Sequence, residues 1–338
     1  MKVTDKPVLL SIIILFLLSF SGCIFKQEID RDMDYPDLID FDFFVNKQYS
    51  SETKNYNETH FSSINSALEK AVDNTSIFVF NGIYHEYLVI NKYISLIGED
   101  PFNTIIDAEK RNEDVILIQG NGRLTISGFT IQNSSKNDPY AYNEAGIDIR
   151  SSGNIIEGNI ITNNYYGIYC IYVNNNIIRG NLFTENVEYA AYFLHRSDEN
   201  IITQNVFNEN QYIALRIQGS RFNNVTHNLF INNPSGLYLC CKSENNMVYG
   251  NVFCNHSTWN AYDDGVNSWD NGKIGNFWDG FNLDSQGAFD NNSNGIVDIP
   301  YSYPLVKSFD NYPLKNVPTI SNYFLEKNIT SIHCEKMA

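Results

Sequence analysis

The sequence predicts an all-β fold, a single-stranded right-handed parallel β-helix with a capping helix at its N-terminal end. Three observations lead to this prediction. A pair of asparagines five residues apart recurs along the second half of the chain, and successive pairs begin 22 to 25 residues apart. Two apolar residues follow each second asparagine, as in short strands. One amphipathic segment, residues 62–72, precedes the repeats. A period this short fits a coil of strands and bends better than a pair of helices.

The asparagine pairs define the coils. The five regular pairs are Asn154/Asn159, Asn176/Asn181, Asn200/Asn205, Asn223/Asn228 and Asn246/Asn251. A sixth pair, Asn271/Asn276, keeps the asparagines, although Lys273 replaces the apolar residue between them. Stacked coils lie about 4.8 Å apart, so asparagines at the same bend can hydrogen-bond from coil to coil and tolerate a left-handed backbone. We therefore expect the asparagines to build ladders within the fold and not a substrate site.

Weaker repeats extend the solenoid towards the N-terminus. Residues 77–84, 93–107 and 124–133 each read as one coil, and residues 134–142 are expected to form an exposed loop. Segment 62–72 has apolar residues at helical spacing, which predicts a helix that covers the first unpaired edge of the solenoid.

The composition excludes one class of partner. The 338 residues include 39 acidic and 23 basic side chains, a formal net charge of −16. No basic excess is present to neutralise phosphates, so no nucleic-acid partner is expected. The same charge disfavours docking on acidic polysaccharides by charge attraction alone.

The N-terminus predicts export. Lys2 and Lys6 precede a short apolar run, and small residues follow it before Cys23. This pattern is typical of a secretion signal over residues 1–22, and the position of Cys23 resembles a prokaryotic lipoprotein box. Residues 23–57 would then be a lipid-anchored tether on the extracellular face of the cell membrane. The alternative is an uncleaved N-terminal anchor, although the apolar run is short for a span.

The cysteines and sequons agree with a surface protein. Without Cys23, five cysteines remain, so a fully paired disulfide framework is not expected, and their spacing does not match a zinc site. Cys170 and Cys240 align at one inward position of the repeat, three coils apart, which predicts two buried thiols. Candidate glycosylation sites are Asn57, Asn74, Asn133, Asn224, Asn255, Asn291 and Asn328.

Two groups of motifs resemble known families. Residues 79–90, 94–98 and 104–107, after the predicted helix, resemble the start of pectin-lyase-like β-helices. The C-terminal motifs resemble NosD-type proteins, and they are residues 269–272, 275–279, 290–298, 299–301 and 310–314. The resemblance implies a β-helix over residues 58–316, with a closing loop over 279–314 and a C-terminal tail over 317–338. It also implies either copper handling or carbohydrate binding.

Copper is not favoured by the residues themselves. The six histidines are scattered, and the methionines form no cluster, whereas a copper site needs converging soft or imidazole ligands. The histidines are His60, His85, His195, His227, His256 and His333.

One acidic group is a weak catalytic candidate. Asp263 and Asp264, with Asp270 nearby, are similar to the paired carboxylates of inverting glycoside hydrolases of this fold. The His-Gly and Arg-x-Lys strings that accompany such pairs are missing, so solvated surface carboxylates on an outward or bend segment are the simpler interpretation.

A calcium loop is predicted over residues 290–298. Oxygen-bearing side chains stand at positions 1, 3, 5 and 9 of this segment, and a glycine stands at position 6. The predicted ligands are Asp290, Asn292, Asn294, the Ile296 carbonyl and Asp298. A polar turn without metal remains the alternative.

Two function classes remain open at this point. The first is an exported, membrane-tethered module that binds a glycan or another envelope protein without catalysis, with outward tyrosines such as Tyr169 and Tyr238 stacking on sugar rings. The second is a carbohydrate-active enzyme, a hydrolase or a lyase, with its site near Asp263, Asp264 and Asp270.

Overall fold

A computed structural model describes residues 11–16, 25–30, 41–111, 113–120, 123–135, 144–328 and 334. The chain divides into two compact units, Met1–Phe41 and Asp42–Ala338. In the first unit, β1 (Ser11–Phe16) pairs antiparallel with β2 (Phe25–Asp30). Cys23 lies outside the described residues, as does most of the predicted signal segment. Among the helices in the described part of the chain, none is long and apolar enough to cross a membrane.

The second unit is a solenoid of three parallel sheets. The ten-stranded sheet contains β3 (Phe43–Val45), β4 (His60–Phe61), β5 (Thr75–Val79), β8 (Ile94–Gly98), β11 (Thr125–Ser127), β14 (Ile155–Glu157), β17 (Ile177–Arg179), β20 (Ile201–Thr203), β23 (Asn224–Thr226) and β26 (Met247–Tyr249). The eight-stranded sheet contains β7 (Leu88–Ile90), β10 (Ile116–Ile118), β13 (Ala145–Ile149), β16 (Tyr166–Ile171), β19 (Tyr189–Leu194), β22 (Ile213–Gln218), β25 (Ser235–Cys240) and β28 (Trp259–Asp263). The nine-stranded sheet contains β6 (Gly82–Tyr84), β9 (Thr104–Asp107), β12 (Thr130–Gln132), β15 (Ile160–Thr162), β18 (Leu182–Thr184), β21 (Val206–Asn208), β24 (Leu229–Ile231), β27 (Val252–Cys254) and β29 (Phe277–Trp278). The predicted parallel β-helix is confirmed.

The solenoid begins earlier than the sequence indicated. Strand β3 lies within the expected tether, yet it pairs in parallel with both β4 and β5. The predicted exposed loop over residues 134–142 lies mostly outside the described residues.

The interior is filled by aligned apolar side chains, one from each coil. The clearest stack runs through Phe183, Phe207, Phe230, Phe253 and Trp278. Successive ring centroids are 4.6, 4.9, 5.1 and 4.7 Å apart, and the planes are within 18° of parallel. All five side chains are almost completely buried, so the coil spacing also sets the ring spacing.

Buried asparagines form ladders at the bends, as expected. Within one ladder, Oδ1 of Asn205 accepts from the backbone N–H and the Nδ2 of Asn181, while its own Nδ2 donates to the Ile178 carbonyl. Asn205 in turn donates to Oδ1 of Asn228. Each asparagine therefore satisfies backbone groups that the bend would leave unpaired.

The ladders differ from the prediction in two respects. Asn276 continues its ladder, but Asn267 accepts from Asn246 in the place expected for Asn271, which is exposed. A third ladder of four asparagines was not anticipated, although its members recur with the same period as the other two. It consists of Asn164, Asn186, Asn210 and Asn233.

The N-terminal end carries the expected helix, α1 (Ile64–Lys70). The Ser63 side chain accepts from the Ser66 N–H at the start of the helix. Ile64, Ala67 and Leu68 are buried against the first coils. Val72, the last apolar residue of the predicted helical segment 62–72, is exposed because the helix ends at Lys70.

At the C-terminal end the chain closes the last coil and then covers the outer surface of the nine-stranded sheet. A short helix, α2 (Tyr323–Asn328), brings Phe324 against Phe102, and Asn322 donates to the Gln204 carbonyl. Cys254 and Cys334 form a disulfide with a Cα–Cα distance of 5.5 Å. The cysteine count alone did not reveal this pair.

The predicted alignment of the two other cysteines is wrong. Cys170 pairs in register with Phe193 and points inward, whereas Cys240 pairs with Gln218. Cys240 is therefore one residue beyond the inward position of its strand, which Leu239 occupies. A shift of one residue moves a side chain to the opposite face of a sheet.

Candidate functional site

The outer surface of the eight-stranded sheet carries aromatic side chains on both sides of Arg216. We call these side chains the aromatic face, and its members are Tyr166, Tyr169, Tyr189, Tyr192, Tyr238, Trp259 and Tyr262. The β-helix register aligns one residue per coil on it, and from β13 to β28 these are Asp148, Tyr169, Tyr192, Arg216, Tyr238 and Tyr262. Tyr169 and Tyr238, predicted to point outward, belong to this row.

The rings of the aromatic face pack on one another. Tyr166 stacks on Tyr189 with centroids 5.6 Å apart, and Tyr189 meets Tyr192 edge-on at 4.8 Å. Tyr238 lies 4.7 Å from Tyr262 and 5.6 Å from Trp259. The rings of Tyr169, Tyr189 and Tyr192 are buried by their neighbours. The other four rings, those of Tyr166, Tyr238, Trp259 and Tyr262, keep part of their surface in solvent. Cross-coil packing thus holds the rings in place and leaves the outer ones available for contact.

Arg216 lies in the middle of this group. Its guanidinium carbon is 5.1 Å from the ring centroids of both Tyr189 and Tyr192, and 5.3 Å from that of Tyr238. Its Nη1 donates to the Tyr189 hydroxyl at 2.5 Å. Within the part of the chain that the structure describes, no carboxylate forms an ion pair with Arg216. The aromatic rings therefore stabilise a cation whose charge no neighbouring side chain neutralises.

A carboxyl pair lies at the β13 end of the aromatic row. Asp148 is fully buried, and its Oδ2 accepts from Nε and Nη2 of Arg150 at 2.9 and 2.7 Å. Asp114, which is almost as buried, accepts from the Ala145 N–H and interacts with Asp148. Burial, and then the charge of Asp148, raises the pKa of Asp114 to about 8. Burial also raises the pKa of Asp148, although Arg150 opposes the shift.

Sequence reasoning missed this pair, because the two residues lie 34 positions apart and neither belongs to a motif. One signal was available: Asp148 interrupts an otherwise apolar strand, Ala-Gly-Ile-Asp-Ile. A charged residue in such a strand usually has a partner, and here Arg150 is two residues away.

The carboxylates that the sequence singled out have other partners. Asp263 is buried, which corrects the expectation of a solvated position, and its side chain accepts from Gly265 N–H, Asn267 Nδ2 and Trp269 Nε1. Asp270 accepts from the Gly272 N–H and from Asn311. Oδ2 of Asp264 lies 3.5 Å from the Cys241 amide nitrogen. Asp263 and Asp270 hold the turns that follow β28, and nothing brings the three carboxylates together on an open surface.

The predicted calcium loop adopts a tight turn. The side chains of Asp290 and Asn292 accept from the Asn294 N–H, and Asn294 Oδ1 accepts from the Ile296 N–H. Asp298 accepts from the N–H and Nδ2 of Asn291. The oxygens that calcium would require therefore bind backbone amides in this structure, and the calcium assignment stays a prediction.

Copper requires several converging donors. In the described ranges, no group of three or more His, Cys, Asp and Glu side chains is arranged to hold a metal ion. His333 lies outside these ranges. The donor set of the described residues does not fit a copper centre built from imidazoles.

The sequons differ in accessibility. Asn57, Asn74, Asn224, Asn255 and Asn291 are exposed, while Asn133 is half-buried and donates to Asp107. The side chain of Asn328 lies outside the described part. Asn57, Asn74 and Asn224 are therefore the most open positions, because Asn255 and Asn291 also donate to neighbouring side chains.

A cleft of about 560 Å³ lies beside the C-terminal tail and away from the aromatic face. Its lining includes Leu283, Asp284 and Lys315. Lys315 donates to Asp284 and to the Ala288 carbonyl, so its charge is already compensated. The cleft lacks the convergent polar groups that mark a binding pocket.

The fold and the aromatic face define a class, a parallel β-helix protein with an aromatic strip along one outer sheet. The chain belongs to the NosD family: residues 68–283 match the family described as "Periplasmic copper-binding protein (NosD)". This confirms the resemblance noted in the sequence. A comparison with curated proteins found no match to this chain.

Several solved structures are similar to part of this chain. The pectin methylesterase PemA from Erwinia chrysanthemi is 12% identical, with 67% of this chain and 89% of that chain covered and a TM-score of 0.32. The pectin methylesterase from Aspergillus niger is 11% identical, with 67% and 84% covered and a TM-score of 0.40. A periplasmic alginate epimerase, AlgG, is 16% identical, with 61% and 66% covered and a TM-score of 0.40.

Proposed function

We propose that the protein is an envelope β-helix protein that binds a glycan along the aromatic face without cleaving it. The observation that carries this proposal is the set of partly exposed rings on both sides of Arg216 along one sheet, which are Tyr166, Tyr238, Trp259 and Tyr262. The family description places its members in the periplasm, which supports a location in the cell envelope or outside the cell.

The chemistry of the face suits a sugar polymer. The C–H faces of a pyranose pack against aromatic rings, while its hydroxyls need hydrogen-bond partners at the rim of the contact. Tyr238, Trp259 and Tyr262 supply the rings. The hydroxyl of Tyr192, which donates to Gln218, and the guanidinium of Arg216 supply polar groups beside them. Successive coils lie about 4.8 Å apart, so a polymer along the solenoid axis would contact several coils at once.

Two further features support an exported and tethered protein. The Cys254–Cys334 disulfide is typical of proteins outside the reducing cytosol. The signal-like N-terminus with Cys23 supports lipid anchoring, and a mass measurement of the membrane-extracted protein would test it. A peptide map with unmodified Cys23 would contradict the anchor.

Binding to an array of neutral and acidic oligosaccharides tests the proposal. We expect Trp259→Ala and Tyr238→Ala each to weaken binding about tenfold, because truncating a central aromatic residue costs about 1–2 kcal/mol. Tyr249→Ala is the matched control, since Tyr249 lies on the ten-stranded sheet beside His227. Absence of binding to every glycan, or equal loss in the control, would overturn the proposal.

A second candidate function, a carbohydrate-active enzyme, is favoured by the Asp114–Asp148 pair. Near pH 7 the raised pKa of Asp114 keeps it protonated, so that it can donate a proton beside the aromatic face. A single protonated carboxyl can serve proton transfer, as in elimination or epimerisation, without a second carboxylate that acts as nucleophile or base on water. These reactions therefore suit Asp114 better than hydrolysis by two carboxylates.

Activity on the glycans that bind separates the two candidates. An enzyme would release reducing ends or form an unsaturated or epimerised sugar, and Asp114→Asn would abolish the reaction while binding remained. Asp284→Asn serves as the control, because Asp284 pairs with Lys315 and belongs to neither candidate site. Loss of activity in folded Asp263→Asn protein would instead place the site where the sequence suggested.

A further inference from the structure

Two adjacent cysteines lie at the edge of the aromatic face, at the end of β25. Their sulfur atoms are 3.0 Å apart, within reach of a bond. Cys240 is buried and Cys241 is exposed. The proposed glycan contact does not involve either thiol.

The backbone holds the two side chains together. Cys241 has a φ of 60°, the left-handed conformation, which turns the chain directly after the strand. The Cys240 carbonyl accepts from the Gly219 N–H and from the Ser243 hydroxyl, so the turn is held by two neighbouring segments. Cys241 is exposed to solvent, where a small oxidant can reach it.

We propose that Cys240 and Cys241 are a redox-active dithiol that closes reversibly to a vicinal disulfide outside the cell. The oxidant is a low-molecular-weight disulfide or a disulfide-bearing oxidoreductase. The Cys241 thiolate attacks one sulfur of that disulfide, its S–S bond breaks, and one thiol leaves after taking up a proton. Cys240 then gives up its proton and attacks Cys241 Sγ, and the second thiol leaves. Two cysteine thiols are oxidised by two electrons, and one external disulfide is reduced to two thiols.

The order of attack follows from the surroundings of each sulfur. Burial, and then the hydrogen bond with Cys241, raises the pKa of Cys240 to about 12, so Cys240 is a poor first nucleophile. The charged groups that face the pair are Arg216, whose Nη2 is 3.9 Å from Cys240 Sγ, and Asp264, which lies beside the Cys241 amide. Cys241 makes the first attack because it is exposed, and Cys240 makes the resolving attack because it is buried beside the Cys241 sulfur.

The resulting disulfide would be labile, unlike Cys254–Cys334. Consecutive Cα atoms are about 3.8 Å apart, which is shorter than the usual separation across a disulfide, and strained or exposed bridges are more easily reduced. Cys254 and Cys334 have a Cα–Cα distance of 5.5 Å, inside the usual range. One bridge is therefore structural, and the other is a switch.

Differential alkylation across a series of glutathione ratios tests this. Trypsin cuts after Arg221 and Lys242, so both thiols lie on one peptide, residues 222–242. We expect that peptide of the full-length protein to lose two hydrogens as the buffer becomes oxidising, and to regain both thiols at ratios that leave Cys254–Cys334 intact. Cys170, fully buried, should stay unmodified until the protein unfolds.

Variants identify the two roles. In Cys240→Ser protein we expect a persistent mixed disulfide with glutathione at Cys241, because the resolving thiol is gone. In Cys241→Ser protein Cys240 should stay reduced. Phenylarsine oxide bridges two close thiols. One equivalent should bind to the reduced wild-type protein and to the Cys170→Ser variant. None should bind to Cys240→Ser or Cys241→Ser. A wild-type peptide that keeps two free thiols at every ratio, or carries glutathione on Cys241 without closing, would overturn the proposal.

Discussion

The interior stack and the aromatic face are built by the same register, yet they differ in composition. Inside, the Phe183-to-Trp278 stack repeats one kind of side chain at almost constant spacing and is completely buried. Outside, the aligned row carries an aspartate, four tyrosines and an arginine. Close packing restricts the interior to side chains of similar shape in each coil. On the outer face a side chain contacts its neighbours on one side only, so residue types can differ from coil to coil. The difference shows where this fold leaves room for function.

The largest expected effect tests whether the two regions differ in stability. Phe207→Ala should lower the free energy of unfolding by about 3–5 kcal/mol, because it leaves a cavity between two stacked rings. Tyr238→Ala, at a half-exposed ring, should cost about 1 kcal/mol. Urea denaturation measures both values. Equal losses would mean that the aromatic face is a second core and not a surface kept for binding.

The asparagine ladders should be the next most sensitive part. Asn205→Ala is expected to cost about 2–4 kcal/mol, because it leaves buried donors of Asn181 and the Ile178 carbonyl unpaired. The exposed Asn224, replaced in the same way, should change the unfolding free energy by less than about 0.5 kcal/mol. A similar cost at both positions would show that the ladder bonds add nothing to stability.

The pH dependence of stability compares the two regions through their buried carboxyls. Asp114 beside the aromatic face has a pKa of about 8, and Asp310, which accepts from Trp278 of the interior stack, has a pKa of about 6, both raised mainly by burial. A raised pKa contributes stability below pH about 4 that is lost as the pH rises through the folded pKa. Relative to wild type, Asp114→Asn should therefore gain stability from pH 4 to about 8, and Asp310→Asn only from pH 4 to about 6. Unfolding free energies measured from pH 4 to 9 would show both, and parallel curves would contradict them.

The smallest effect concerns the loop over residues 290–298, which belongs neither to the interior stack nor to the aromatic face. If the loop binds calcium in the millimolar range, 10 mM Ca²⁺ should stabilise the protein by about 1.4 kcal/mol. Asp290→Asn should remove the response, and Asp264→Asn should keep it. Thermal unfolding that is unchanged by EDTA and by excess Ca²⁺ would leave the loop as a polar turn.

Much of the fold was predictable because it repeats. Each coil restates the same pattern, so the period, the strands and the first two asparagine ladders were evident, and so was the helix before them. The boundary at β3 was not, because a three-residue strand in an acidic segment has no repeat of its own. The alignment of Cys240 was off by one residue, since coil lengths vary and a single insertion shifts a side chain across the sheet.

The site was harder to predict than the fold. Tyr169 and Tyr238 were correctly expected to point outward, but their neighbours on the aromatic face come from coils whose alignment required the register. Asp263 looked like a surface carboxylate, and the structure buries it under Trp269 because the chain turns back after β28. The disulfide between Cys254 and Cys334 joins residues 80 positions apart, and no spacing rule connects them.

The sequence by itself determined that the chain is a β-helix, because a periodic pattern of apolar residues and asparagines can be satisfied only by stacking coils on one another. The tertiary structure alone decided which side chains share the outer surface, because those neighbours are one coil apart in space and more than twenty residues apart in the chain. Tyr238 meets Arg216, Asp114 meets Asp148, and Cys240 turns outward to lie against Cys241. Local patterns establish the coil, and the register between coils establishes the surface.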